Sequence, residues 1–367
     1  MRFFFTILLV LHALIHGLGF AKAFGLTTVK ELTLPIPKTY GLLWLLAGLC
    51  LLTAALLWAR LNSLWWLPSL VGVGLSQVLI IVYWPDARFG TLPNLLFLFV
   101  FVAGYSTWHF HRSYQNDVKH ATQQPLYFGH SLLTENDLRP LPEPVQKYLR
   151  YADCVGKPKV KNFKVELTGK IRKDAQSEWM PFTTEQYNFM HTPTRLFYMK
   201  ATMKGLPVGG YHKYQNGDAM MDIRLFSLFR VQYQEGQEMD VAETVTFFND
   251  MCCMAPATLI DPRVKWLDVQ DNAVKASFTN KDITITAWLY FNEVGALVNF
   301  VSNDRYAADV GKKLPWSTPL SETAEINGRR LATFAEAVYE YPDGQLTYGT
   351  FRITGLEYNC EKITMGE

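Results

Sequence analysis

Charge is scarce at the front of this chain. Residues 1–110 carry eight ionisable side chains of the Lys, Arg, Asp and Glu types, namely Arg2, Lys22, Lys30, Glu31, Lys38, Arg60, Asp86 and Arg88. That scarcity excludes a single soluble domain. The remaining 257 residues hold 29 of the 35 basic and 31 of the 33 acidic groups, which excludes a chain embedded from end to end. Cysteine is also sparse, at five, and Cys252-Cys253 are adjacent, a spacing unsuited to a disulfide framework. No C-x-x-C, P-loop, dinucleotide fingerprint, G-x-S-x-G elbow or H-E-x-x-H occurs, so the sequence names no cofactor and no metal set. A pI near 8.1 without a basic stripe gives no support to nucleic-acid binding. With 52 aromatic residues the chain has ample apolar surface to bury, so disorder is excluded as well.

What the front end does have is length in its apolar runs. Phe3–Phe20, Gly41–Ala59, Leu64–Trp84 and Leu92–Phe110 are each long enough to cross a hydrocarbon core of ~30 Å. Tryptophans 44, 58, 65, 66, 84 and 108 lie mostly near their ends, where amphipathic rings favour the interface. The short link Arg60–Ser63 makes the second and third spans antiparallel neighbours. A cleaved leader ending at Ala21-Lys-Ala23 is the alternative for the first run, but its apolar stretch exceeds the usual leader core. Flanking Lys and Arg are balanced between the two sides, so orientation rests on the cysteines. Free thiols in the C-terminal part suit a cytoplasmic location of both termini at a bacterial plasma membrane.

From Arg112 to Tyr151 the chain is polar and punctuated by proline, which predicts a linker and a lead-in helix over Val145–Tyr151. Period-two alternation then dominates: Phe163, Val165, Leu167 and Ile171 against Lys164, Glu166, Thr168 and Lys170, and again through Ile283, Ile285, Ala287, Leu289 and Phe291. Asn216-Gly217, Asn327-Gly328 and Asp343-Gly344 read as two-residue hairpin turns. Asp240, with Glu243 three residues on, is positioned to cap a helix over about 241–255 that Pro256 ends. The fold expected is a membrane α+β protein: a four-helix transmembrane module (1–111), a linker (112–151), and a half-open antiparallel β-barrel of lipoprotein-carrier or lipocalin type (152–367). One long helix would lie in its mouth, beside an apolar hollow suited to a lipid or other apolar small molecule.

Two polar constellations stand out. In the membrane half, His12 and His16 share a helix face, with Gln77, Asn94, Lys22, Asp86 and Arg88 near the same leaflet. Polar groups there are costly and often functional, although helix-bridging hydrogen bonds and an Asp86–Arg88 ion pair would explain them without function. In the β half, Arg195 falls on the strand face of Phe197 and Met199. An arginine among apolar neighbours needs an anionic partner. Asp222, Asp304, Arg305, Tyr306 and Trp316 complete a candidate ligand site, with a buried ion-pair network as the alternative. An enzyme using Asp304, Arg305 and Arg195, and solute or proton transport near His12, His16 and Gln77, remain open alongside lipid binding.

Several of these motifs are familiar. His16-Gly-Leu-Gly-Phe-Ala-Lys-Ala-Phe24, Gly41-Leu-Leu-Trp44, Ser76-Gln77 and Asp86-Ala-Arg-Phe-Gly-Thr91 together resemble an uncharacterised bacterial four-span module similar in outline to the DoxX-like group. Leu141-Pro-x-Pro-Val145-x-x-Tyr148-Leu149, Arg195-x-Phe197, Gly205-Leu-Pro-Val-x-Gly210, Pro256-Ala-x-Leu259, residues 266–272, Asp304-Arg-Tyr306 and Trp316 resemble a bacterial domain of unknown function. The resemblance spans nearly the whole chain and implies an uncharacterised family without assigning an activity. Two departures are Asn249-Asp250, where a Glu is expected, and Arg88, where Lys is usual.

Overall fold

The computed structural model describes residues 2–123, 131–307 and 310–361. They form two compact units that divide between Phe110 and His111.

The first unit is helical: α1 (Arg2–Ala23), α2 (Lys38–Ala59), α3 (Trp66–Val82), a short α4 (Trp84–Ala87), and the first part of α5 (Thr91–Thr122). Three stretches, Phe3–Ala23, Lys38–Ala59 and Trp84–Thr122, are long and apolar enough to cross a membrane. The expected third span is shorter than the sequence suggested. It is an apolar helix of 17 residues, ~25 Å long. Pro68 in its first turn and the break at Tyr83, just ahead of Pro85, confine it. Helix α2 packs on both α1 and α3, and small residues set the spacing. A Cβ on Gly48 would stand 2.9 Å from the carbonyl oxygen of Ala13.

The second unit opens with a correction. Residues 112–122, expected as linker, continue α5. Tyr114, Val118 and Ala121, at steps of four and three, are buried along one helical stripe. Helices α6 (Glu135–Leu138) and α7 (Glu143–Tyr151) follow. Then come β1 (Asn162–Ile171), β2 (Met180–Phe189), β3 (Thr194–Met203), β4 (Leu206–Gln215), β5 (Asp218–Leu225) and β6 (Phe229–Glu235). After α8 (Gln237–Met254) lie β7 (Val264–Gln270), β8 (Ala273–Asn280), β9 (Ile283–Phe291) and β10 (Leu297–Ser302). A side ribbon of β11 (Tyr306–Ala307) and β12 (Lys312–Lys313) precedes β13 (Trp316–Ile326), β14 (Arg329–Tyr341) and β15 (Gly344–Tyr358).

Thirteen strands make one antiparallel sheet in the order β6-β5-β4-β3-β2-β1-β15-β14-β13-β10-β9-β8-β7. The chain thus lays down one wing outward to β6, crosses by α8 to the far edge at β7, and works back until β15 pairs with β1. Because α8 connects the two edges, it must lie across the sheet. It packs on β4, β5 and β6 from one wing and β9, β10 and β14 from the other. The alternation in β1 and β9 puts Phe163, Val165, Leu289 and Phe291 in the core as expected. Two hairpin turns have the expected backbone, with positive φ at both Asn216 and Gly217 and at both Asn327 and Gly328. The third does not: in Asp343-Gly344 only Gly344 has positive φ.

The expected hollow beside the long helix is filled. Phe247, Phe248, Met251 and Cys252 of α8 are fully buried against Phe278 of β8 and Phe300 of β10. Each such phenylalanine contributes about 1.5–3 kcal/mol of transfer free energy. The cavity lined by Tyr148, Cys253, Leu297 and Leu331 has a volume of about 10 Å³, room for one water.

Candidate functional site

Helix α8 starts four residues earlier than the sequence suggested. Gly236, with φ 93°, is its N-cap, and Asp240 instead accepts the Ala219 amide of β5 at 2.6 Å. This frees Glu243 from any capping role. Its carboxylate takes Nη1 of Arg195 at 3.0 Å, and about two turns further along α8 Asp250 takes Nε at 2.8 Å. The second terminal nitrogen of Arg195 donates to Oε1 of Gln186 at 3.0 Å. Gln186 and Asn188, both on β2, donate to the same Asp250 oxygen at 2.7 and 3.1 Å. His212 of β4 stands 3.6 Å from the other Glu243 oxygen. Arg195, Glu243 and Asp250 are all more than 90% buried.

Burial works against ionisation of both acids, but the outcomes differ. Arg195, with His212 and Arg305 beyond it, overrides burial at Glu243 and holds its carboxyl down to about 2. At Asp250 burial prevails over Arg195 and Asn188, and the carboxyl is pushed up. The pair therefore has unequal acidities in one dry cluster.

The other β-domain candidates fall into separate groups. Phe197 and Met199 are core residues facing α8, with the Arg195 guanidinium over the Phe197 ring. Asp222 is buried on β5 and held by Arg224 and Arg230 at 2.6 and 2.8 Å. Asp304 turns away, to the Thr286 amide at 2.8 Å and to Lys313 at 3.1 Å. Arg305 reaches α8 from the second wing, donating to Thr246 at 3.3 Å and to the hydroxyl of Tyr339, with Trp316 stacked beneath it. Tyr306 offers its carbonyl to Tyr339, and the Trp316 indole donates to Tyr348. Asp304, Arg305 and Arg195 are not assembled into one triad: Asp304 and Arg305 have different partners, and Arg195 binds the helix acids. One arginine from each wing meets α8, Arg195 by ion pairs with Glu243 and Asp250 and Arg305 by a hydrogen bond to Thr246.

Gln186, Asn188 and His212 are not singled out by the sequence, and Glu243 is marked there only as a capping residue. The only local signal was the mismatch of an acid pair, Glu243 and Asp250, on a helix otherwise rich in Phe, Met and Cys. Cys252 and Cys253 are buried, and all five cysteines, which lie among the described residues, are free. Among the described residues no cluster of His, Cys, Asp or Glu is arranged to hold a metal.

In the first unit, His12 Nε2 donates to Oδ1 of Asn94 at 3.0 Å, and Asn94 in turn donates to Ser76 at 2.9 Å and Gln77 at 3.1 Å. The His16 ring donates through Nδ1 to the His12 carbonyl at 2.8 Å, which leaves Nε2 as the bare nitrogen, buried beside Trp44. Lys22, Asp86 and Arg88 lie outside this network. Lys22 donates to the Leu32 carbonyl. Asp86 is not paired with Arg88; it accepts the amides of Thr33 and Leu34 at 2.6 and 2.9 Å, and Arg88 lies over Phe89. An open depression of about 490 Å³ is lined by Lys22, Gly25, Thr27, Thr28 and Val29.

Comparison with curated proteins gives no match. Among solved structures, a DUF1329 family protein from Desulfovibrio piger ATCC 29098 is similar at 13% identity and a TM-score of 0.35, over 60% of this chain and 93% of that one. Residues 131–351, covering β1 to most of β15 with α8 and its charge cluster, match the family of unknown function DUF6544, and the chain belongs to that family.

Proposed function

We propose that this is an integral protein of the bacterial plasma membrane whose β domain binds lipid at the bilayer surface and not inside a hollow. One observation carries the reading. The apolar run that begins at Leu92 ends at Phe110, and the next residue, His111, already rests on Tyr198 of β3 with ring centroids 4.8 Å apart. A single peptide bond therefore separates a segment of membrane-spanning length from the sheet. Three residues on, Tyr114 donates to Glu185, and Asp117 then takes the Tyr211 hydroxyl at 2.7 Å and Lys213 at 2.9 Å. Within the second unit, the part of α5 that starts at His111 is thus docked on the sheet where a linker was expected.

The half-open barrel of lipoprotein-carrier kind expected from sequence would hold a ligand against the core face of the sheet, and α8 packs there. Surface binding is the mode that remains compatible with that packing. Free cysteines support a cytoplasmic location of the domain. The test uses the full chain. It should stay in the membrane pellet through a sodium carbonate wash, and native mass spectrometry after exchange into lipid-free detergent should find no stoichiometric lipid. Release by carbonate, or one lipid retained per chain, would overturn the reading.

A further inference from the structure

Strand register collects three connections of the first wing at one end of the sheet. Ile171 pairs with Met180, Met203 with Leu206, and Leu225 with Phe229, so the β1–β2, β3–β4 and β5–β6 turns share that end. Their tips are apolar and open. Phe229 is 53% exposed, Met203 42%, Leu206 39% and Trp179 36%. The turns at the other end are of different character, with His191-Thr192-Pro193 between β2 and β3 and Asn216-Gly217 between β4 and β5.

Cations surround the apolar tips. Lys170, Lys173, Lys200 and Lys204 are exposed, and Arg172 lies over the Trp179 ring at 4.5 Å. Of the two acids in the β1–β2 loop, Asp174 is turned inward onto the Gln176 and Ser177 amides, while Glu178 is exposed.

The direction of α5 says what this end meets. Asp117 contacts Lys213 and Tyr211, Tyr114 contacts Tyr211 and Tyr198, and His111 contacts Tyr198. Followed back from Asp117, at Lys213 opposite Leu196, to His111, which feels the charge of Lys200, the helix crosses from β4 to β3 and shifts in the direction of Met203. Met203 lies five residues beyond Tyr198, ~16 Å along the strand, whereas the helix turns apolar one residue beyond His111.

We propose that this end of the sheet is a membrane-docking edge. Met203, Leu206, Phe229 and Trp179 enter the acyl boundary of the leaflet that α5 leaves, and the surrounding lysines bind anionic phospholipid headgroups. The inference rests on the reading that the chain is anchored in a bilayer and names the lipid surface it meets.

The test places a spin label on the full chain at Leu206→Cys, at Phe229→Cys, and at Asp218→Cys on the opposite end. The background carries Cys50→Ala and Cys360→Ala, which remove the two native thiols that are not buried. Nanodiscs of phosphatidylcholine alone and with phosphatidylglycerol are compared. The labels at 206 and 229 should lose contact with a water-soluble nickel chelate and gain contact with oxygen, more so with phosphatidylglycerol, while the label at 218 stays in water. Three labels equally open to the chelate, in a chain that still resists carbonate, would overturn docking and leave the anchored reading standing. Extraction by carbonate would overturn both, and equal shielding in the two disc types would remove the anionic headgroups from the proposal.

Discussion

Arg195 shows how a buried charge commits a fold to one arrangement. Its guanidinium satisfies two acids from α8 and an amide from β2, so each partner is satisfied only while helix and sheet are seated together. Removing one member leaves an uncompensated buried charge, which costs about 3–5 kcal/mol. Arg195→Ala is expected to lower the denaturant midpoint of the purified chain by a corresponding amount, whereas Arg352→Ala, whose pair with Glu322 is open to solvent, should leave it unmoved. The acid limb offers a second check. Glu243 is held down from 4.5 to about 2, so in the folded protein it stays ionised where the unfolded chain takes up a proton. Its contribution to stability is complete above the unfolded value and is lost as pH falls through about 2. Glu243→Gln should therefore reduce stability at neutral pH and flatten the fall in stability between pH 4.5 and 2, measured by denaturant titration at each pH.

At the scale of elements, close backbone approach matters as much as side-chain packing. A Cβ on Gly169 of β1 would stand 1.9 Å from the Thr350 carbonyl oxygen of β15 and 2.7 Å from the Phe182 ring. Since β1 and β15 close the sheet at its centre, there is no free edge onto which the strain can be displaced. Gly169→Ala should cost about 1–3 kcal/mol, the range for overpacking, and a circular dichroism melt of the variant against the parent measures it. Much at this scale was legible beforehand. Alternation in β1 and β9 located the core faces, and Asn-Gly marked two tight turns. The end of α5 was missed because the charged residues from Arg112 to Lys119 suggested a linker, although Tyr114, Val118 and Ala121 already recur at helical spacing. The start of α8 was missed because Asp240 looks like a cap until the Ala219 amide is seen to claim it.

For the whole molecule, the order of strands makes the two wings interdependent. They join where β1 meets β15, through α8, which Arg195 holds from one wing and Arg305 from the other, and directly where Asn280 of β8 donates to the Tyr214 hydroxyl of β4 at 2.7 Å. Unfolding of either wing strips the partner of α8 from the other. Hydrogen exchange in rising denaturant should therefore give one opening free energy for the central amides of β3 and β9; two separate values would show that the wings are independent units. The same topology explains the closed interior. A connection between opposite edges of a sheet crosses one of its faces, and a helix bearing the fully buried Phe247, Phe248 and Met251 packs the face it crosses.

Local chemistry determined a good deal of this protein. Paucity of charge with long apolar runs fixes a helical front end, alternation dictates strands, and an arginine on an apolar strand face demands an acid somewhere, because each of these depends on neighbours within a few residues. The identity of that acid, the filling of the hollow and the gathering of three turns at one end depend on strand order and register. Those couple residues tens of positions apart, as Arg195 is from Glu243 and Asp250, and only the packed chain brings such residues within reach of a hydrogen bond.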